Sequence, residues 1–312
     1  MVMDEGKLAA GSARFQSVAC WVDTAKPDVA KALVQEARRW VTPGRDSRLV
    51  VAHVDAWLPP LRSRHSVWNL DRPEFFDQVR EYLAQLCEEV PGAEPLLLSS
   101  LDPPLEAANW AREEGIDLVV VAAHNSPLSP ARMGSFAGPL TALSEVPVIV
   151  VSSPSLAAGA DAAGRAGVAH IACCVDESRT SEAALDMAAD LARETGARLT
   201  AVHGVVHARA LRMLGLSRVV PSPRSRERPV IARLAEQANQ VPGAEFCVVD
   251  GRPQDVCVWA AQHDVDLIVA GASHRSTGVR LPGSFAREVA VHATCPVMLV
   301  PAKTTGGPAA GS

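Results

Sequence analysis

The chain has 312 residues, a net charge of −5 and an apolar fraction of 48%. That length suggests two domains, each able to bury its own core, and the mild acidity argues against nucleic-acid binding, which draws on a basic surface. No apolar run approaches the length of a membrane span, and the opening MVMDEGKLAAGSARF lacks the apolar segment of a secretion signal, so a cytoplasmic protein with no membrane role is expected. Seven cysteines form no C-x-x-C pair, and Cys20, Cys173, Cys174 and Cys247 fall in apolar strands; they read as buried, reduced thiols. The nine histidines show no metal-binding spacing, so no metal site is expected.

Residues 1–13 read as a disordered lead. A first apolar run, Phe15 to Val22, ends on Asp23. A helix follows, with Pro27 near its first turn and Ala30, Leu33, Val34, Ala37 and Trp40 on one face. Pro43-Gly44 stops it, and Leu49 to Val54 is a second buried strand. The connection Trp57 to Pro73 is long and rich in proline and arginine, open to reading as a lid or as a surface excursion. A helix from Pro73 to Glu89, a strand near Leu96 to Ser99 and a helix from Pro104 to Glu114 lead to the stretch DLVVVAAHNSPLSPARMGSFAGPLTALSEVPVIVV, Asp117 to Val151.

That stretch has a near copy, DLIVAGASHRSTGVRLPGSFAREVAVHATCPVMLVP, from Asp266 to Pro301. The offset of 149 residues (266 − 117) also pairs Pro104 with Pro253, Trp110 with Trp259 and Gly134-Ser135-Phe136-Ala137 with Gly283-Ser284-Phe285-Ala286. With small shifts, Val22-Asp23 aligns with Val175-Asp176 and Leu49–His53 with Leu199–His203. The chain is therefore a duplication of two domain-sized repeats rather than a solenoid. Repeat one spans 14–152. An Ala/Gly/Ser-rich segment, 153–169 (with Ser152 at its head), reads as a flexible tether, and repeat two spans 170–302. Repeat two opens with a strand, His170 to Val175, and a helix whose buried stripe is Ala184, Leu185, Ala188, Leu191 and Ala192, ended by Gly196. After strand Leu199 to Val202, the arginine-rich connection His207 to Pro229 reads either as an anion-attracting segment or as a solvated loop. Residues from Lys303 onward read as a frayed tail.

Strands alternating with helices, built of near-continuous Val/Ile/Leu runs, predict two tandem α/β units. Each is an open, five-stranded parallel sheet with helices on both faces, Rossmann-like in type. Ligands of such sheets sit beyond the carboxyl ends of the strands, where strand order reverses. Asp23 and Asp176 end the first strands and the Gly-Ser loops follow the fourth, so one crevice per repeat gathers them.

These residues resemble the universal stress protein family over both repeats. The likeness rests on Val175-Asp176-Glu177-Ser178, Asp250-Gly251-Arg252-Pro253, Asp266 to Gly271, Gly283-Ser284 and Cys295-Pro296-Val297, in that order and spacing. The resemblance implies an adenine nucleotide alpha hydrolase-like sheet whose last strand can pair antiparallel with that of a second domain. Val148–Val151 and Val297–Val300 are the candidates for such pairing inside one molecule, and a homodimer is a further option. Nucleotide-binding members carry G-x2-G-x9-G-[ST] after the fourth strand, where glycines let the backbone approach phosphates and the Gly-Ser step offers helix-end amides. Repeat two keeps Gly271, Gly283 and Ser284, has His274 at the second glycine, and separates it from Gly283 by eight residues. Repeat one has Ala122 and Asn125 instead, with Pro127, Pro130 and Pro139 removing amides.

The expected ATP-binding residues are therefore Asp176, Gly271, His274, Arg275, Gly283, Ser284 and Phe285, all in repeat two. The expected role is a nucleotide-responsive regulatory module in stress physiology, with a ligand-free scaffold as the alternative. Other readings of the same residues stay open: Ser284 as a plain helix cap, and Asp23 and Asp176 as turn aspartates. His53 and His203 read as core or strand-end histidines, and Trp110 and Trp259 as helix core. No G-x-S-x-G and no P-loop lysine is present, and the first strands end in DTAKP and DESRT rather than an S-G-G-x-D-S loop. No catalytic residue is expected, although slow ATP hydrolysis stays open.

Overall fold

The computed structural model describes residues 15–44, 46–56, 72–123, 133–156, 167–205, 223–272 and 284–302. In repeat one, strands β1 (Ser17–Trp21), β2 (Arg48–Ala56), β3 (Ala93–Ser100), β4 (Leu118–Ala122) and β5 (Val148–Val151) alternate with helices α1 (Pro27–Arg39), α2 (Arg72–Glu88), α3 (Pro103–Glu113) and α4 (Ala137–Leu143). Repeat two supplies β6 (His170–Cys174), β7 (Arg198–Val205), β8 (Ala244–Asp250), β9 (Leu267–Gly271) and β10 (Val297–Val300). Its helices are α5 (Arg179–Thr195), α6 (Pro223–Asn239), α7 (Pro253–Gln262) and α8 (Ser284–His292).

Each repeat orders its strands 3-2-1-4-5, all parallel, and β5 and β10 lie side by side so that ten strands form one sheet. The β5–β10 ladder is antiparallel, with Val150 opposite Val297 and Ile149 opposite Met298. Side chains alternate across this sheet with period two, so successive strand residues feed opposite cores. On one face Val18, Cys20, Ile171 and Cys173 pack with Leu33, Leu83, Leu185 and Leu234 of α1, α2, α5 and α6. On the other, Ala19, Trp21, Ala172 and Cys174 pack with Ala107, Leu140, Val256 and Val289 of α3, α4, α7 and α8. Burial on both faces is why the strands read as continuous apolar runs rather than alternating ones.

The two aspartates that open the duplicated stretch do structural work at the amino ends of the strands. Asp117 Oδ2 accepts from the amides of Gln16 and Ser17, at 3.1 and 2.9 Å. Asp266 Oδ2 accepts from those of Ala169 and His170, at 2.8 and 3.0 Å. Each carboxylate thus fixes the entry of its repeat's first strand beside its fourth.

Several boundaries differ from the sequence expectation. The head of the expected tether is folded: Ser152 is buried, donates from Oγ to the Ala293 carbonyl at 2.5 Å, and accepts from the Ser155 amide at 3.0 Å. A polar residue ends β5 because its hydroxyl bonds across to repeat two. Helix α6 begins at Pro223, so Pro229, expected as the end of the connection, lies inside the helix. Trp110 and Trp259 are half-buried, at the rim of the core rather than within it. The connections expected at Trp57–Pro73 and His207–Pro229 lie largely outside the described residues.

His170 is a buried histidine at the foot of β6. Its Nδ1 lies 2.9 Å from the His263 carbonyl and 2.9 Å from Arg198 Nη2, and its Nε2 lies 2.9 Å from Thr200 Oγ1. Burial, aided by the Arg198 charge, lowers its pKa below the ordinary 6.5, against the opposing pull of the His263 carbonyl, Asp266 and Glu245. The unfolded chain therefore binds the proton more readily than the folded one. The stabilisation is complete above the unfolded value and is lost as pH falls below it. Thermal unfolding followed from about pH 7.5 to about pH 5 should show a falling midpoint, and His170→Gln should flatten that slope relative to the parent.

Candidate functional site

The carboxyl ends of β6, β7 and β9 meet the starts of α5 and α8 at the point in repeat two where strand order reverses. They enclose a cleft of about 180 Å³. Its walls include Cys174, Asp176, Ser178, Thr180, His203, Gly271 and Phe285. Residues 28 and 96 positions apart in sequence are thus brought together by the β6–β7 and β6–β9 ladders, which set Cys174 opposite Val202 and Ala270.

Asp176 sits just past the end of β6. Its Oδ1 accepts from the Ser178 amide at 2.9 Å and from the Ser178 hydroxyl, while its own amide donates to Ser181 Oγ at 2.8 Å. This is the turn aspartate geometry, and it also holds the carboxylate at the cleft wall. Among the described residues no hydrogen bond reaches its second oxygen. Asp23 makes the same turn in repeat one, accepting from the Ala25 amide at 3.0 Å. Ser178 caps α5 by accepting from the Ser181 amide at 3.2 Å, and its hydroxyl lies 3.0 Å from Thr180 Oγ1. A seventeen-residue helix therefore presents its amino end, with hydroxyls attached, at the cleft, an arrangement suited to negative charge. Glu177 is tied back by an ion pair to Arg233 of α6.

Gly271 ends β9 where the α5 start crosses it. A Cβ there would lie 2.6 Å from the carbonyl carbon of Thr180 and 2.7 Å from its oxygen. Helix packing alone therefore demands a glycine, before any ligand is considered. Gly204 is constrained similarly, since its Cβ would meet the Phe285 ring at 2.9 Å. Phe285 is half-buried and forms part of the wall, whereas Ser284 is the exposed first residue of α8. His274, Arg275 and Gly283 lie outside the described residues, so the phosphate side of the expected site is seen only through Gly271, Ser284 and Phe285.

Sequence reasoning read His203 as a core or strand-end histidine and did not place it at the site. Its Nδ1 lies 2.8 Å from the Val175 carbonyl, which can only accept, so Nδ1 carries a proton. His53 makes the matching bond to the Val22 carbonyl at 2.9 Å, so the bond belongs to the fold, and the cleft around His203 belongs to repeat two. Arg287, which replaces Gly138 of repeat one, was also passed over. Its Nε is buried and finds no acceptor among the described residues. For Arg287, the difference between the repeats was the available signal. Cys174 is buried at the cleft wall, and desolvation pushes its thiol up to about 12, so it remains protonated and inert at neutral pH. No cluster of His, Cys, Asp or Glu suited to a metal occurs among the described residues. No helix among them is long and apolar enough to cross a membrane.

Comparison with known proteins agrees with this geometry. The universal stress protein family matches residues 15–152 and, separately, residues 167–301. A universal stress protein from Archaeoglobus fulgidus DSM 4304 superposes with a TM-score of 0.61 at 16% identity, over 93% of this chain and 98% of that one. A protein of unknown function from Pseudomonas aeruginosa PAO1 superposes at 0.53, with 13% identity over 92% and 93% of the two chains. At these identities the likeness is one of fold. No curated protein matches the chain.

Proposed function

This chain belongs to the universal stress protein family, and from that premise we propose that it is a nucleotide-responsive regulatory module whose cleft in repeat two takes an adenine nucleotide such as ATP. The observation that carries the reading is the cleft itself. It joins an aspartate whose second oxygen has no hydrogen bond among the described residues, suited to sugar hydroxyls, to a hydroxyl-rich helix start, suited to anionic oxygens. Arg287 stands in the first turn of α8, and its buried Nε finds no acceptor among the described residues. The proposal assigns binding without turnover, in the cytoplasm, by a chain whose repeats are joined through β5 and β10, with a homodimer as an option at the level of assembly. The competing reading is a scaffold that kept the fold and takes no ligand.

Denaturing the purified protein and assaying the supernatant for adenine nucleotide tests this directly, together with ATP titration by calorimetry. Asp176→Ala should weaken ATP binding about 10- to 100-fold, the worth of a hydrogen bond to a charged group. Asp23→Ala, which removes the same turn in repeat one, should leave the affinity unchanged. If no nucleotide is released and ATP yields neither heat nor a thermal shift, the scaffold reading replaces this one.

A further inference from the structure

The two repeats differ at the end of their first strands. Trp21 pairs with Ala52 and Val121 across its two ladders. Cys174 pairs with Val202 and Ala270, the corresponding residues of repeat two. The two side chains therefore occupy one register position and one face of the sheet, and both pack in the same core layer. In repeat two the small Cys174 lines an open cleft beside Phe285. In repeat one the indole of Trp21, 2% exposed, meets Phe136, the counterpart of Phe285, with ring centroids 6.1 Å apart. It also meets Trp110 edge-on at 5.7 Å. Val54 stands where repeat two has Gly204, narrowing the same wall further.

The indole Nε1 adds an independent observation. It is buried and finds no acceptor among the described residues, whereas a buried tryptophan normally pairs its N–H. The described surroundings of Trp21 thus accommodate the shape of the ring without answering its polar atom.

We propose that repeat one is a self-occupied copy of the cleft, in which the Trp21 indole fills the volume that repeat two leaves open. Trp21 then decides which repeat can take a planar heterocycle, and its removal exposes a slot for one. An apolar, ring-walled cavity of this kind stays available to an aromatic guest rather than filling with water. The inference does not depend on whether repeat two takes nucleotide, because the probe is indole itself.

The test compares the parent chain with Trp21→Ala, Trp21→Cys and Trp21→Phe, by thermal unfolding with added indole or adenine and by indole titration calorimetry. Trp21→Ala should lower the midpoint by roughly 6–15 °C. Indole should restore much of that loss in a concentration-dependent way. Trp21→Cys, which copies repeat two, should bind one more equivalent of indole than the parent, and Trp21→Phe should bind no additional equivalent. The idea is overturned if Trp21→Ala and Trp21→Cys fold but gain no indole site. It is equally overturned if both remain unfolded in saturating indole, since the ring would then be covalently indispensable to the fold rather than a filler of a slot.

Discussion

Gly271→Ala should destabilise the chain by about 1–3 kcal/mol, the usual cost of overpacking a filled site, with or without nucleotide present. The new methyl would stand 2.6–2.8 Å from the carbonyl carbon, oxygen and Cβ of Thr180. The neighbour is backbone at a helix start, which cannot swing aside as a side-chain tip would. Either α5 moves off β9 or the end of β9 bends, and both deform the cleft wall. The matched control is Ala122→Gly, the same position in repeat one, where the expected loss is about 0.5–1 kcal/mol from chain entropy. Urea denaturation of the ligand-free protein measures both. Were Gly271 a glycine solely so that phosphate could approach, Gly271→Ala would leave the ligand-free chain as stable as the parent and weaken only nucleotide binding.

Met298→Asp should be the more damaging change. Met298 is fully buried in β10, opposite Ile149 of repeat one and beside Val269 of β9. An aspartate there finds no cation on an entirely apolar seam and must either stay ionised in low dielectric or take up a proton. Leaving such a charge unpaired costs about 3–5 kcal/mol. Because the cost falls on the ladder shared by the two repeats, urea unfolding should change from one transition to two as the halves lose their mutual support. Val248→Asp is the comparator. Val248 lies on the edge strand β8 and is 39% exposed, so its change should stay within about 0.5 kcal/mol. A single, unshifted transition for Met298→Asp would argue that β5 and β10 do not pair within one chain in solution.

The position-by-position differences between repeats carried more functional information than the shared motif. Gly283-Ser284 and its copy mark where a helix starts, and a shared fold explains the repetition. Asp117 and Asp266, which head the duplicated stretch, serve strand entry at the end of the sheet remote from the cleft. Asp176 was legible as a candidate because it ends a first strand in a parallel sheet, and it lies on the cleft wall. Ser178 was visible only as part of the Val175–Ser178 run, Thr180 only within DESRT, and His203 as a core or strand-end residue, because nothing in their local sequence shows what faces them. Trp21 was unreadable for the same reason: an apolar residue ending an apolar strand has no sequence mark that distinguishes packing from plugging.

By itself the sequence determined the duplication, the alternation of strand and helix, the parallel sheet covered on both faces, and the family. Those follow from periodicity and local punctuation, which act over a few residues and are written twice in this chain. Only the tertiary structure decided what the individual positions are for. Gly271 proved to be a packing glycine because a helix 91 residues earlier crosses it. The cleft of repeat two is lined by Cys174 and Gly204, where repeat one carries Trp21 and Val54. Steric fit between distant segments is a property of the assembled sheet, and no run of neighbouring residues encodes it.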